Sequence, residues 1–218
     1  MYRILCRSQD TNHISTPTIE PPTVKRVEMQ NGSTRSTPTC KRNADIAQVV
    51  DPTVAKIYAQ TNRLTERQRE IIQETFTKME QQAIPNALNI LIRLFSDYPN
   101  YKNIWPQFRA IPDSALMCAP ELRRHAQVYM TGLRTIIDAM DDDAKLTASL
   151  KRIAKAHIKW NIHKSHLMHM VEPVVQVVRE TNGGLLTDEM KHAWITLYDV
   201  IANLIDIYRV IEQAERRR

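Results

Sequence analysis

Four of the seven histidines of the chain stand in one short run, AKAHIKWNIHKSHLMHM over residues 154–170: His157, His163, His166 and His169. The last three spell HxxHxxH, a pattern that invites a metal reading. On a helix, however, positions i, i+3 and i+6 step round the axis by about 60° each, so the outer two diverge by about 120°. Tetrahedral zinc needs ligands that close on one point, usually an i, i+4 pair or thiolates. The only acidic residue or cysteine near the run is Glu172. His166 and His169 also point away from the apolar line Leu167, Val174, Val178, so they are expected at a solvated surface. His163 lies nearer that line at the start of the helix, where it can reach a ligand at a pocket mouth.

His157 differs from its neighbours in the run. It continues the apolar spacing Leu150, Ile153, Ala154 and so faces inward. His125 sits in the same way within Leu122, Ala126 and Tyr129, 32 residues earlier. Each could be a core histidine with a satisfied hydrogen bond. As a pair on two inward helix faces, they suggest axial ligands to a flat metallocofactor. No acid–base constellation for an enzyme accompanies them.

The elements that must carry these residues are helical. After residue 60 the chain keeps only Gly132, Gly183 and Gly184, too few for a hairpin-rich β fold. Thr65 followed by Gln68 forms a capping box. Helical stripes follow: Leu88, Leu91, Ile92, Phe95; then Leu122, Ala126, Tyr129, Met130, Leu133, Ile137. The later ones are Leu167, Met170, Val171, Val174, Val178, and Trp194, Tyr198, Ile201, Leu204, Ile205. Breaks fall at Pro85, Pro99, Pro112, Pro120 and Gly183-Gly184. The expectation is an all-α domain over residues 61–218, with six to eight helices. Residues 1–60 hold five prolines and many Ser, Thr, Asn and Gln without either helical or strand period, and read as a disordered N-terminal tail.

Composition narrows the function classes. The 218 residues are 43% apolar, enough for a packed core. The formal charge of +6 divides as +3 over residues 1–60 (eight Lys+Arg, five Asp+Glu) and +3 over the rest. A charge spread in this way, without interleaved aromatic residues, argues against nucleic acid as a partner. No run approaches the roughly 18–20 apolar residues of a transmembrane segment, and no signal peptide is visible. Cys6, Cys40 and Cys118, odd in number and far apart, suit reduced thiols. A cytoplasmic protein is expected.

Several ordered motifs resemble the globins. ILIRLF (Ile90–Phe95) followed by Pro99 is similar to the second helix of vertebrate myoglobin and its terminating proline. Trp105 occupies the place of the family's haem-packing Phe, and Phe108 matches the next aromatic residue. ELRRHA (Glu121–Ala126) resembles the distal-histidine motif, and IAKAHIKWNI (Ile153–Ile162) the proximal one. LTDEMKHAWITLYDVI (Leu186–Ile201) resembles the start of the last helix. The likeness spans about residues 61–214. The tail and the aromatic-rich distal helix are most similar to the divergent neuronal globins of nematodes.

The resemblance implies a globin fold around haem b, with its iron held by His157 and, on the distal side, His125. His157 would donate its other ring N–H to the carbonyl of Ile153, one turn back. Ala156 stands where many relatives carry a serine that shares this bond. The implied pocket is lined by Leu91, Trp105, Phe108, Val128, Tyr129, Ile153, Ile162, Leu167 and Ile201, with His163 as a contact at the haem edge. Tyr129 replaces an aliphatic residue, so it crowds the distal side and its hydroxyl requires a partner. Small residues at Ala87 and Ala126 suit a close crossing of two helices. The implied role is redox signalling, electron transfer with an unidentified partner, or sensing of diatomic gases such as oxygen or nitric oxide. A five-coordinate oxygen-binding or transport globin is the alternative, and a haem-free helical interaction module is the alternative of another class.

Overall fold

Thr65 and Gln68 cap each other: the Gln68 N–H donates to Thr65 Oγ1 and the Thr65 N–H to Gln68 Oε1, both at 3.2 Å. This pairing satisfies two of the orphan donors at a helix start, and the helix Glu66–Glu80 follows from it. Similar local signals set the other long helices. Asp142 accepts from the N–H groups of Ala144 and Lys145 and starts the helix Asp143–Lys159. Thr187 accepts from Met190 and starts the helix Asp188–Glu215. Pro85 and Pro173 lie in first turns, where the N–H that proline lacks has no intrahelical partner.

The computed structural model describes residues 52–217, which belong to one compact unit. In chain order its helices are α1 (Pro52–Thr61), α2 (Glu66–Glu80), α3 (Ala83–Asp97), α4 (Pro106–Arg109), α5 (Asp113–Leu116), α6 (Pro120–Ile137), α7 (Asp143–Lys159), α8 (Lys164–His169), α9 (Val171–Thr181) and α10 (Asp188–Glu215). A 3-10 turn over Pro99–Ile104 joins α3 to α4. Among the described residues, nine of these ten helices follow α1, and six of the nine have ten residues or more. The three short ones occupy the proline-rich corner and the histidine run.

Two differences from the sequence expectation concern boundaries. Residues 1–51 lie outside the described residues, and most of the expected tail falls there. Residues 52–60, also assigned to the tail, form most of α1 instead. Ile57 and Thr61 of α1 are buried, and the helix packs on α7 and α10. Only these two of its ten residues are buried, too few to show a helical stripe. The histidine run also divides at Met170 into α8 and α9, while the apolar line Leu167, Val174 and Val178 is buried on both.

The core lies where α10 crosses α2, α7 and α8, and where α3 crosses α6 and α9. All five residues of the stripe Trp194, Tyr198, Ile201, Leu204 and Ile205 are buried. Burying an aliphatic side chain of this size contributes about 1.5–3 kcal/mol. Trp194 lies fully inside, and its indole N–H donates to Thr75 Oγ1 at 3.0 Å; Thr75 in turn donates to the Ile71 carbonyl at 2.7 Å. Ala87 and Ala126 are both fully buried on the paired helices α3 and α6. No helix among the described residues is long and apolar enough to cross a membrane.

Candidate functional site

A hollow of about 310 Å³ opens between α3, the 3-10 turn, α6, α7 and α8. A second, of about 160 Å³, adjoins it and extends toward α10. The two share His125, Val128, Tyr129, Ala156, His157, Leu167 and Met170 as lining, so they form one continuous space. Most of the remaining lining is aliphatic or aromatic, including Leu91, Leu94, Trp105, Ile162 and Ile201.

His157 enters this space near the end of α7. Its Nδ1 lies 2.8 Å from the Ile153 carbonyl oxygen. A carbonyl only accepts, so Nδ1 carries the proton and Nε2 keeps a free lone pair. Burial pulls the basicity of the ring down, more strongly than the Ile153 hydrogen bond raises it. The turn that ends α7 helps to hold this arrangement. Asn161 adopts the left-handed region at φ 55°, and the N–H groups of both Trp160 and Ile162 return to the His157 carbonyl. Arg209 of α10 donates to Asn161 Oδ1 and to the Ile162 carbonyl, pinning the turn against the last helix.

His125 faces the same space from α6. Its ring meets Trp105 edge-on at 5.0 Å and 62°, and Phe108 at 5.6 Å and 79°. Burial, and then the charge that His157 would carry, push its pKa down to about 4. Both imidazoles are therefore neutral near pH 7, the form in which a histidine can donate a lone pair to a metal. Among the described residues, no hydrogen-bond partner meets the His125 ring. Two neutral imidazoles in an otherwise apolar slot fit an iron tetrapyrrole with nitrogen donors on its axis and a hydrophobic rim.

Behind His125, Tyr129 finds the partner its hydroxyl requires. Its oxygen lies 2.5 Å from that of Tyr198 on α10. Burial pushes the pKa of both phenols up, so both stay protonated. Ala156 offers no hydroxyl to the His157 ring, leaving the Ile153 carbonyl as its Nδ1 partner.

The structure brings most of the sequence-nominated residues to the hollow. Leu91, Trp105, His125, Val128, Tyr129, Ile153, His157, Ile162, Leu167 and Ile201 all line it. Val128 does so from a largely exposed position, 63% accessible. Phe108 does not line it; fully buried, it backs the rings of His125, Trp105 and Phe95. His163 does not line it either. It is the exposed residue before α8, and its backbone N–H donates to His166 Nδ1 at 2.9 Å.

His166 and His169 depart from the expected solvated surface. His166 lines the mouth of the hollow, and His169 stacks on Tyr98 with ring centres 4.0 Å apart. Both rings are half-buried by contacts with the 3-10 turn and its flank, His169 against Tyr98 and Tyr101 and His166 against Tyr101. Sequence reasoning also missed Leu94, Tyr101, Trp160, Met170 and Tyr198 as pocket residues. Leu94 and Tyr198 lay within segments already recognised as helical, so their periodicity was a usable signal. Tyr101, on a non-periodic turn, carried none.

The described residues thus form an all-α domain around an apolar slot that two imidazoles enter. A family model described as Globin matches residues 88–205, more than half of the chain, and the chain belongs to the globin family. It is 28% identical over 140 residues to Cytoglobin-1 of Oryzias latipes, covering 63% of this chain and 79% of that protein. It is 27% identical over 118 residues to myoglobin of Heterodontus portusjacksoni, covering 54% of this chain and 77% of that protein. A crystal structure of a double mutant of Aplysia limacina myoglobin shares the fold at TM-score 0.61 and 17% identity, covering 66% of this chain and 97% of that one. Binding of haem and of diatomic gases follows from membership of the family.

Proposed function

We propose that this globin is a cytoplasmic haem b protein whose iron is held by His157 and, on the opposite side, by His125. Its role is redox signalling, electron transfer to an unidentified partner or gas sensing, and reversible oxygen storage fits it less well. Bound haem supplies an iron centre that accepts axial nitrogen donors and changes between ferrous and ferric states.

The observation that carries this reading is the pairing of two neutral imidazoles across one apolar slot, with the Ile153 carbonyl fixing the tautomer of His157. His157 Nε2 is thereby committed to the hollow. His125, held by ring contacts alone, has its nitrogens free of protein partners among the described residues. Tyr129 and Tyr198, hydrogen-bonded to each other, line the adjoining hollow and narrow the room beside His125 for an external ligand. Ile162 and Leu167, both buried, line the hollow together with His157.

The visible spectrum of the ferrous protein tests this. Sharp, split α and β bands are expected; a single broad deoxy band would sink the two-histidine ligation. One observation favours a second reading, a five-coordinate oxygen-binding globin: among the described residues, no hydrogen bond holds the His125 ring in place. Rapid, unretarded binding of carbon monoxide to the ferrous protein would select that reading.

A further inference from the structure

Three phenols line the hollow: Tyr101, Tyr129 and Tyr198. Only one of them faces a base. The Tyr101 oxygen lies 2.6 Å from Nδ1 of His169. A phenol is the weaker base and the better donor of the two groups, with ordinary pKa values of about 10 for phenol and about 6.5 for imidazole. The hydroxyl therefore donates to Nδ1. Tyr129 and Tyr198, by contrast, have only each other, and a phenol oxygen is a very poor proton acceptor.

This difference decides which phenol can give up an electron. Losing an electron makes a phenol strongly acidic, so the step is accessible where the proton has a base to move to along an existing hydrogen bond. Tyr101 has that base. The imidazolium formed would lie on the face of Tyr98, whose ring is parallel to that of His169 within 5° at 4.0 Å. An aromatic face stabilises a cation placed over it by about 0.5–2 kcal/mol. Tyr101 also stacks on Tyr98 at 5.1 Å and touches His166 at the mouth of the hollow. Burial and the neighbouring Tyr98 hold the Tyr101 phenol above its usual pKa, so it enters the step protonated.

The geometry points to Tyr101 and His169 as a proton-coupled electron-donor site, which delivers single electrons to an oxidant held in the hollow. The Tyr101 O–H bond breaks: one electron leaves for the oxidant and the proton passes to His169 Nδ1, leaving a neutral phenoxyl radical beside an imidazolium. Haem oxidised by hydrogen peroxide would be the acceptor. Each peroxide takes up two electrons and two protons and leaves as two waters; one electron passes through Tyr101 and the other goes to the haem directly. Two one-electron equivalents with their two protons come from a small reductant of the thiol or ascorbate class (two thiols leaving as a disulfide, or one ascorbate as dehydroascorbate): one restores Tyr101 as its proton returns from His169, and the other restores the haem. The identity of this oxidant rests on the haem reading above; the Tyr101–His169 pair does not.

Two experiments on the full chain separate the two. In the first, haem-loaded protein is mixed with hydrogen peroxide, freeze-quenched and examined by electron paramagnetic resonance. A tyrosyl signal that narrows with ring-deuterated tyrosine is expected, present in Tyr58→Phe and lost in Tyr101→Phe. A signal that survives Tyr101→Phe, or a tryptophanyl signal from Trp105 or Trp160, overturns the assignment. In the second, photogenerated tris(bipyridine)ruthenium(III) oxidises the chain without haem, followed at the phenoxyl absorption. His169→Phe keeps the stack on Tyr98 but removes the base. The Tyr101-dependent rate should fall about a hundredfold or more, and its solvent deuterium isotope effect should disappear. An unchanged rate and isotope effect overturn the proposal. Absence of a Soret band in the first experiment refutes the haem reading alone, since the second still decides the pair.

Discussion

Nδ1 of His157 and the carbonyl of Ile153 lie 2.8 Å apart, one helical turn from each other on α7. This single bond sets which ring nitrogen remains free for the hollow. His157→Ala should abolish the Soret complex formed with added haem. His125→Leu should keep it and replace split ferrous bands with one broad band. Ala156→Ser adds an acceptor for the same N–H and should slow haem loss by up to about tenfold, the low end for such supporting bonds. Haem transfer to an apoprotein trap measures this.

The Tyr129–Tyr198 pair offers a test of how buried hydroxyls behave. Tyr129→Phe leaves the Tyr198 hydroxyl buried without its partner and should destabilise the protein by about 1–3 kcal/mol. Tyr198→Phe should do the same to Tyr129. The double variant should lose much less than the sum of the two, giving a clear coupling in urea unfolding. Additive losses would show that the two hydroxyls do not support each other.

Thr75 accepts the Trp194 indole N–H inside the core. Thr75→Val preserves shape and removes the acceptor, so it should cost about 1–3 kcal/mol through the unsatisfied donor. Thr75→Ser should recover most of that loss in the same denaturant titration.

Asn161 ends α7 at φ 55°. Asn161→Gly should leave stability within about 0.5 kcal/mol, while Asn161→Val should cost about 1–2 kcal/mol because a β-branched residue is strained there. Amide exchange over residues 160–163 should speed up in the valine variant, and likewise in Arg209→Ala, which frees the turn from α10.

Asp199 pairs with Arg63 at 2.7 Å and Lys164 at 2.9 Å. Burial alone would raise its pKa, but the hydrogen bonds and charges of Lys164 and Arg63 outweigh this and hold it below the ordinary 3.8. A folded pKa below the unfolded one means that the stabilisation is complete above about pH 4 and fades as pH falls through the lowered value. The partners are partly exposed, so each pair contributes no more than about 1 kcal/mol. Asp199→Asn should flatten the acid limb of the stability curve between about pH 4 and pH 2 relative to the parent.

Much of this site was legible before any coordinates, because periodicity reports which way a residue points on its own helix. Leu122, Ala126 and Met130 fix the inward face of α6, and His125 and Tyr129 lie beside it. Leu150, Ile153 and Ala154 do the same for His157 on α7. The need for a partner at the Tyr129 hydroxyl followed from its chemistry. The helix over Pro52–Thr61 was missed because only Ile57 and Thr61 of its ten residues are buried, too sparse a line to read.

By itself, the sequence determined the all-helical class, the long helical stripes after residue 60, the Thr65–Gln68 cap and the inward direction of His125 and His157, since these depend on neighbours a few residues away. Only the tertiary structure decided that Tyr198 meets Tyr129 from α10, that Arg209 grips the turn after α7, and that Tyr101 reaches His169 across the mouth of the hollow. Those contacts join residues 47 to 69 positions apart. They depend on how whole helices and the 3-10 turn pack against one another, which the period within any one helix does not encode.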